Sequence, residues 1–325
     1  MQGNEMVKTT QSATATKSFF TIMGSSKTKS AIEKVMSVIF VACGLTAVLA
    51  VLGITVYMIV AGSPAIGKIG ILEFLFGTRW APTAADPSFG ILYIILTSIV
   101  GTFLAVLIGV PIALLTAVYL AEVASPRLYK MVRPAIELLA GIPSVIYGLV
   151  GAILLVPLMR MAEVAIFKGS ETHQFTGGAN LLSAVLVLAV MILPTVVNVS
   201  ESSLRAVPKE LKEASLALGA THMETIFKVL VPAAKSGIVT SIVLGIGRAV
   251  GEAMAIMMVS GNVVNLPLPF NSVRFLTTGI VTEMSYSGGL HRQALFSIGL
   301  ILFLFIMVIN IVLNVILKKG GEKNG

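Results

Sequence analysis

The stretch Gly245-Ile-Gly-Arg-Ala-Val-Gly-Glu-Ala-Met-Ala-Ile-Met-Met-Val259 places two opposite charges inside a run of apolar residues. The run is long enough to cross a bilayer, where a charge costs about 2.5–3.5 kcal/mol even on insertion scales. A charged side chain at that depth is normally paired, turned away from lipid and functional. Arg248 and Glu252 stand four residues apart, so one continuous helix would bring them onto the same face, within reach of each other.

Small and polar residues extend this charged face into a stripe. The members recur at steps of four, three, four and three residues: Ser241, Gly245, Arg248, Glu252 and Ala255. Such a period predicts one narrow face on an otherwise oily helix. Because a guanidinium offers a planar fork of donors that matches oxyanions, we expect the stripe to face the path of an anion across a membrane.

Composition identifies an integral membrane protein. The chain has 325 residues, of which 56% are hydrophobic and only 12% are charged, whereas soluble domains carry about 25% charged residues. The single cysteine, Cys43, excludes a disulfide within the chain. The three histidines lack the spacing of metal ligands, and the chain has no complete phosphate loop and no plausible Ser-His-Asp arrangement. We therefore expect a transporter rather than an enzyme, with no metal site.

Six apolar runs are each near or above the ~20 residues that a bilayer requires. The predicted spans lie at about 36–61, 91–119, 135–158, 181–200, 236–260 and 294–317. This pattern predicts an all-α membrane domain over 34–318, with a polar, mostly disordered amino tail at 1–33 and a carboxyl tail at 319–325. A short helix is expected at about 275–282.

The basic residues predict the orientation of the spans. Most of the 23 Lys and Arg residues fall in the two tails and in the loops after spans two and four. The positive-inside rule puts those segments, including both termini, in the cytoplasm. The net charge of +8 is thereby explained without nucleic acid.

The loop after span four, at about 201–235, has its own helix signals. Pro208 could open a helix that Gly219 ends, and Thr221-His-Met-Glu224 has the pattern of a capping box that starts a second helix. Pro232 is expected to close that second helix. The pattern predicts helix, glycine turn and helix, which could be a docking element or simply an ordered loop. Span five should follow directly, so that a movement of the loop would reach Arg248 through packed helix.

A family resemblance rests on this loop. Glu213-Ala-Ser, then Gly219 after three residues, then Val229-Leu-Val-Pro232 after nine more, resembles the EAA loop of ABC importer permeases. Ser215 replaces an alanine, and two valines replace Ile and Leu. The resemblance implies a type I importer permease (MetI-like) architecture with a coupling helix that seats in a groove of a cytoplasmic ATPase. The implied coupling residues are Glu213, Ala214, Gly219, Thr221, Glu224 and Pro232.

Further segments are similar to PstC-type permease subunits of phosphate importers. The first is Trp80-Ala-Pro-Thr-Ala-Ala-Asp-Pro-Ser-Phe-Gly-Ile-Leu92, before span two. Three others are Tyr119-Leu-Ala-Glu122, the segment 134–148 and Gly247-Arg-Ala-Val-Gly-Glu-Ala-Met-Ala255. The similarity spans about 34–318, and PstA-type subunits share several of these features. It implies a multi-pass permease of the bacterial plasma (inner) membrane that forms the path for inorganic phosphate.

The resemblance also implies partners. They are a second, PstA-like permease subunit, two PstB-like ATPase subunits that use ATP with Mg, and an extracytoplasmic PstS-like phosphate-binding protein. This chain itself is expected to bind no cofactor. A permease for another oxyanion, such as molybdate, sulfate or phosphonate, stays open as an alternative. An ion-coupled secondary transporter is less favoured, because six spans are few for that class and no internal repeat is evident.

Within this interpretation, Arg248 is the first candidate for contact with phosphate. Glu252 could neutralise Arg248 in an empty pore and could accept a hydrogen bond from a P–OH group, which sulfate lacks at neutral pH. The alternative for both residues is a structural ion pair that pins two helices.

Three further residues are weaker candidates for the path. Glu137 could lie at an inner gate or could cap the start of span three. Ser144 and Asn198 follow Pro143 and Pro194 within predicted spans. The Ser144 hydroxyl could instead bond back to its own helix.

Overall fold

The computed structural model describes residues 27–321, except for the side chains of 27–31, 313, 314 and 316–321. Most of the predicted amino tail, at 1–26, and the end of the carboxyl tail, at 322–325, lie outside the described residues. The first helix among the described residues begins at Lys27, so the last residues assigned to the amino tail are helical. Two compact units divide the chain, one ending at Tyr57 and the other beginning at Met58.

The described chain is mainly helical, in agreement with the all-α prediction. In chain order the helices are α1 (Lys27–Ile69), α2 (Ile71–Phe76), α3 (Leu92–Val118), α4 (Pro126–Gly141), α5 (Ser144–Val150), α6 (Val156–Ile166), α7 (Leu181–Arg205), α8 (Lys209–Ala217), α9 (His222–Thr225), α10 (Val231–Ala233), α11 (Lys235–Gly251), α12 (Met254–Val259), α13 (Leu276–Glu283) and α14 (Gly289–Gly321). Single π-helical turns follow α3, α5 and α9, at Tyr119–Val123, Gly151–Leu155 and Ile226–Leu230. A small antiparallel hairpin joins β1 (Trp80–Ala81) to β2 (Ser88–Phe89).

Five described helical stretches are long and apolar enough to cross a membrane. They are Ile32–Ile69, Leu92–Val123, Ser144–Ile166, Leu181–Arg205 and Gly289–Val312. A sixth is reached only if His222–Ala233 and Lys235–Gly251, which meet at a 70° bend, count as one span. The apolar runs thus predicted most of the long helices, whereas the count of six is not established by length and composition.

The third predicted span, at 135–158, is placed too early. Its first residues belong to α4, a separate helix that ends at Gly141, and the span proper begins at Ser144. Ile142 is extended, with φ −69° and ψ 129°. The cause is Pro143, because a proline ring disfavours helical backbone at the residue before it and cannot donate to the preceding turn.

The fifth predicted span, at 236–260, is not one helix. α11 ends at Gly251, Glu252 is extended with φ −75° and ψ 133°, and α12 begins at Met254. At its other end α11 begins at Lys235, close to the predicted start, and a 70° bend separates it from the loop helices. Span five therefore follows the loop directly, as predicted, but across a bend.

α7 is the centre of the second unit. Of its most apolar window, 61% is buried, against 33% for the stretch that contains α3 and 22% for the one in α14. α3 and α11 pack along α7 at close range. A Cβ atom at Gly109 in α3 would lie 2.9 Å from the Ala189 carbonyl oxygen, and one at Gly245 in α11 would lie 2.8 Å from the Val196 side chain. Small residues therefore set the spacing of these three helices.

Two buried carboxylates fix the connections near the amino end of α7. Glu163 accepts hydrogen bonds from the Thr176 and Gly178 amides, at 2.8 and 3.2 Å. Glu283 accepts from the Trp80 indole at 3.0 Å, and His291 Nε2 lies 2.7 Å from the same carboxylate. The helices that carry the candidate site are thus held at this end by hydrogen-bonded loops.

Candidate functional site

Arg248 lies in the last turn of α11, and its Nη1 donates to the Thr195 hydroxyl of α7 at 3.1 Å. None of the described ion pairs includes Arg248. Its side chain is half-buried. The guanidinium is therefore held by a neutral partner, which leaves its charge available to a bound anion.

The lower part of the predicted stripe packs against protein. The Ser241 and Ser200 hydroxyls lie 2.7 Å apart, and both residues are buried. Gly245 is also buried, and a Cβ atom there would press against Val196 of α7. The expectation that the whole stripe faces a path is thus wrong for Ser241, Gly245 and Ala255, because these small residues are buried in helix contacts.

Glu252 lies beyond the end of α11 and does not pair with Arg248. Its Oε1 accepts a hydrogen bond from the Ala255 amide at 2.9 Å, at the start of α12. Its carbonyl oxygen accepts from the Thr277 hydroxyl at 2.6 Å. The predicted pairing at four residues is wrong, because the backbone leaves the helix at Glu252 and turns the carboxylate toward the next helix.

A second helix break lies beside the first. α5 begins at Ser144, just after Pro143, and packs against α12. A Cβ atom at Gly148 would lie only 2.8 Å from the Ala255 Cα. The Tyr147 side chain packs against the buried cluster that contains Ala255 and Ala249, the chain neighbour of Arg248. The two restarting helices therefore meet next to the guanidinium.

Ser144 and Asn198 both keep unused hydrogen-bonding capacity. Ser144 is half-buried, and no hydrogen bond of its hydroxyl is found among the described residues, so the expected back-bonding is not seen. Asn198 follows Thr195 by three residues on α7, and its Oδ1 is buried without a partner in the described part of the chain. Since buried polar atoms are normally satisfied, the Asn198 amide is suited to a ligand or water.

Glu137 does not cap a helix start. It lies one turn before the end of α4, pairs with Arg133 at 2.8 Å and has a 55% exposed side chain. Ser125 caps this helix instead, accepting from the Leu128 amide at 3.4 Å. The capping alternative fails because the helix begins at Pro126, well before the predicted start of the span.

Sequence reasoning missed a buried cluster around Glu201. The carboxylate is fully buried, pairs with Arg133 and Arg205, and accepts from the Tyr129 hydroxyl at 3.1 Å. The Arg205 guanidinium also lies 4.3 Å above the Tyr129 ring. The cluster holds α4 against α7. The feature of the sequence that could have indicated this cluster is the spacing of four residues between Glu201 and Arg205, at the end of an apolar span.

The predicted helix, turn and helix of the loop are confirmed. Gly219 has φ +84° and follows α8, as expected of a residue that ends a helix in the left-handed region. The capping box between Thr221 and Glu224 is present. Pro232 does not close the second helix as predicted, because it lies inside α10 and the bend follows at Ala234.

Exposed apolar side chains on this loop favour the docking interpretation over a merely ordered loop. The side chain of Leu218, beside the glycine turn, is 91% exposed. Met223 and Phe227 are exposed at 57% and 49%. Leu218 and Met223, exposed apolar side chains on a polar loop, mark a surface that another protein covers, whereas Phe227 lines an apolar groove with Leu115 of α3.

A metal site is not evident. In the described part of the chain, no group of three or more His, Cys, Asp or Glu side chains could hold an ion. The site chemistry thus consists of a guanidinium, a carboxylate, hydroxyls and an amide.

Known proteins with similar sequences place the chain in a family. The family model "Binding-protein-dependent transport system inner membrane component" matches residues 109–319. The probable ABC transporter permease protein YqgH of Bacillus subtilis is 42% identical over 83% of this chain and 87% of its own length. The phosphate transport system permease protein PstC of Pasteurella multocida is 36% identical over 78% of this chain and 82% of its own.

A solved structure has a similar fold. A chain of a bacterial alginate ABC transporter, in complex with an alginate-pentasaccharide-bound periplasmic protein, aligns with a TM-score of 0.60 at 17% identity. The alignment covers 85% of this chain and 92% of the other. The shared fold and the sequence matches agree, and the chain belongs to the family of binding-protein-dependent transport system inner membrane components.

Proposed function

We propose that this chain is a PstC-type permease subunit of an ABC importer and forms part of the membrane path for inorganic phosphate. The observation that carries the proposal is Arg248, a half-buried guanidinium without a carboxylate partner at the junction of two broken helices. Relatives named as phosphate permeases support the choice of cargo. The family match favours this class over an ion-coupled secondary transporter.

Arg248 would bind phosphate through two parallel N–H donors, since its fork matches an oxyanion. The Thr195 hydroxyl, 3.1 Å from Nη1, would orient the guanidinium. Two further candidates are the Ser144 hydroxyl, which has free hydrogen-bonding capacity, and the unsatisfied Asn198 Oδ1, which could accept from a P–OH group. Glu137, at the exposed end of α4, stays a candidate for the inner end of the path.

Glu252 would supply selectivity. A carboxylate can accept a hydrogen bond from a P–OH group, whereas sulfate at neutral pH has no proton to donate. The Ala255 amide occupies Oε1, so Oε2 is the atom that would face the anion. The cap also fixes the carboxylate in place, because a charged acceptor at a helix start is favoured by the backbone amides there.

The proposed topology has six spans with both termini in the cytoplasm, in the MetI-like arrangement. The distribution of Lys and Arg supports the orientation. In this proposal α11 and α12 (Lys235–Gly251 and Met254–Val259) form the sixth crossing, and His222–Ala233 stays with the cytoplasmic loop. In this arrangement the loop that carries Gly219 and Leu218 lies on the cytoplasmic side.

The proposed partners follow from this topology. Two PstB-like ATPase subunits, using ATP with Mg, would cover the exposed apolar side chains beside Gly219. The coupling residues would be Glu213, Ala214, Gly219, Thr221, Glu224 and Pro232. A PstA-like permease would complete the path, and a PstS-like binding protein would deliver phosphate from outside. This chain would bind no cofactor of its own.

The test is ATP-dependent uptake of labelled phosphate into proteoliposomes that contain the assembled importer. We expect Arg248→Gln to abolish uptake while the variant still assembles with its partners. Arg127→Gln, which removes an exposed arginine at the start of α4, is the matched control and should transport normally. Wild-type uptake by Arg248→Gln at equal protein levels would refute the proposal. Competition by molybdate, sulfate and phosphonate would decide among the oxyanions.

A further inference from the structure

The π-helical turn Tyr119–Val123 lies at the carboxyl end of α3. Through one residue it contacts α8 and α9, the two helices of the loop at 201–235, here called the coupling loop. The Glu122 carboxylate lies 2.5 Å from Lys212 Nζ in α8. The Glu122 carbonyl oxygen lies 3.3 Å from His222 Nε2 at the start of α9. Such wide turns within helices are frequent at functional sites. Glu122 therefore reaches across to two elements that are distant from it in sequence.

The same turn also holds the end of α7. The Leu120 carbonyl oxygen accepts a hydrogen bond from Arg205 Nη2 at 2.9 Å. Leu120 itself is buried, so the turn is fixed to the helix bundle. The turn thus connects the end of α7, where the loop begins, with the two helices that the loop contains.

α8 depends on polar contacts for its position. None of its residues is buried. A cleft of about 420 Å³, lined by Glu122, Lys212 and Leu216 among others, separates it from the π-helical turn. The Glu122 side chain is only 10% exposed and that of Lys212 33%, so solvent screens this pair less than a pair on an open surface. The ion pair is therefore a main connection between α8 and α3.

The path along the chain from the coupling loop to Arg248 is less suited to transmit movement than the path through α3. A 70° bend interrupts it between His222–Ala233 and Lys235–Gly251. The stretch Leu92–Val123, by contrast, is unbroken and packs along α7, which carries the Thr195 partner of Arg248. A displacement of α8 can therefore reach the candidate site through α3 and α7.

We propose that Glu122 is a positioning residue that couples the loop to α3 through Lys212, so that movement of α8 on an ATPase is transmitted to the membrane helices. This inference rests on the proposed function as an ABC importer permease. It gives a role to the segment Tyr119-Leu-Ala-Glu122, which the EAA loop does not include.

The test uses the assembled importer in proteoliposomes, with ATP hydrolysis and phosphate uptake measured on the same sample. We expect Glu122→Gln and Lys212→Met to keep the ATPase subunits bound and to lower phosphate uptake per ATP hydrolysed by about tenfold. The exchange Glu122→Lys with Lys212→Glu should restore at least about half of the ratio, since it rebuilds an ion pair. Lys209→Met is the matched control and should leave the ratio unchanged, because no ion pair of Lys209 is found among the described residues.

An unchanged ratio in both single variants would overturn the inference. Loss of the ATPase subunits from both single variants would also overturn it, because that result would indicate a role in assembly. A charge-exchanged double variant as defective as the single variants would overturn it as well. Failure of the wild-type complex to take up phosphate would instead refute the proposed cargo. In that case the stimulation of ATP hydrolysis by the binding protein, compared between wild type and Glu122→Gln, still decides whether the pair transmits movement.

Discussion

Arg248 and Glu252 stand four residues apart, yet they belong to different local structures. Arg248 reaches the Thr195 hydroxyl from the last turn of α11, whereas the Glu252 carboxylate caps α12 through the Ala255 amide. The helix break between them keeps the two charges from neutralising each other. In the proposed pathway this separation gives phosphate a cation to bind and a separate acceptor for its proton.

The first prediction concerns the shape of the cation. Arg248→Lys keeps the positive charge but loses the planar fork and the geometry that reaches Thr195. We expect phosphate uptake to fall about tenfold, because two parallel hydrogen bonds to the anion become one contact with a compact charge. Uptake by the assembled importer at several phosphate concentrations measures this effect.

The matched control for this prediction is Arg127→Lys at the exposed start of α4, which should transport normally. If Arg248→Lys transports as well as wild type, charge alone is sufficient and the bidentate geometry has no role.

The second prediction concerns the proton acceptor. Glu252→Gln keeps a carbonyl oxygen for the Ala255 amide but removes the negative charge. We expect slower uptake and a reduced preference for phosphate over sulfate, because the amide can also donate to a fully deprotonated oxyanion. The measurement is phosphate uptake in the presence of increasing sulfate.

Glu171→Gln, an exposed carboxylate in the loop after α6, is the control and should leave the competition curve unchanged. A Glu252→Gln variant with the rate and the competition profile of wild type would remove Glu252 from the mechanism.

The sequence was sufficient to predict the long helices and the local helix caps. Uninterrupted apolar runs predicted the helices around 91–119 and 181–200, and the pattern at Thr221 and Glu224 predicted their capping box. These features depend on residues that are near one another in the chain. Their signals are therefore contained in short windows of sequence.

The helix breaks and the buried clusters could not be predicted from short segments of sequence. The break after Gly251 is held by the Thr277 hydroxyl, which donates to the Glu252 carbonyl from a different helix. Glu201 finds Arg133 on α4, far away in sequence. Spacing alone placed Arg248 and Glu252 on one face because it assumes a continuous helix, and only these tertiary contacts decide where the helix stops.

The third prediction tests the turn in the coupling loop. Gly219 has φ +84°, and its amide donates to the Leu216 carbonyl at 3.0 Å. Gly219→Pro cannot adopt this φ and has no amide hydrogen. We expect the variant to lose phosphate uptake and the stimulation of ATP hydrolysis by the binding protein, because the surface beside Leu218 would be displaced.

Gly219→Asn is the control for this change, since asparagine tolerates the left-handed region better than other side chains. It should retain most of the coupled activity. Equal activity of Gly219→Pro and wild type would show that the turn geometry is not needed for docking.

The last prediction compares two carboxylates that both contact Arg133. Glu201 is fully buried and pairs with Arg133 and Arg205, whereas Glu137 is 55% exposed. Glu201→Gln leaves two partly exposed guanidinium groups without their shared buried carboxylate, so the cost should stay below the about 3–5 kcal/mol of a fully buried pair. Glu137→Gln removes an exposed pair worth about 1 kcal/mol or less. Thermal unfolding of the purified protein in detergent should therefore show a much lower midpoint for Glu201→Gln and a nearly unchanged one for Glu137→Gln. Equal shifts in the two variants would mean that the cluster does not hold α4 against α7.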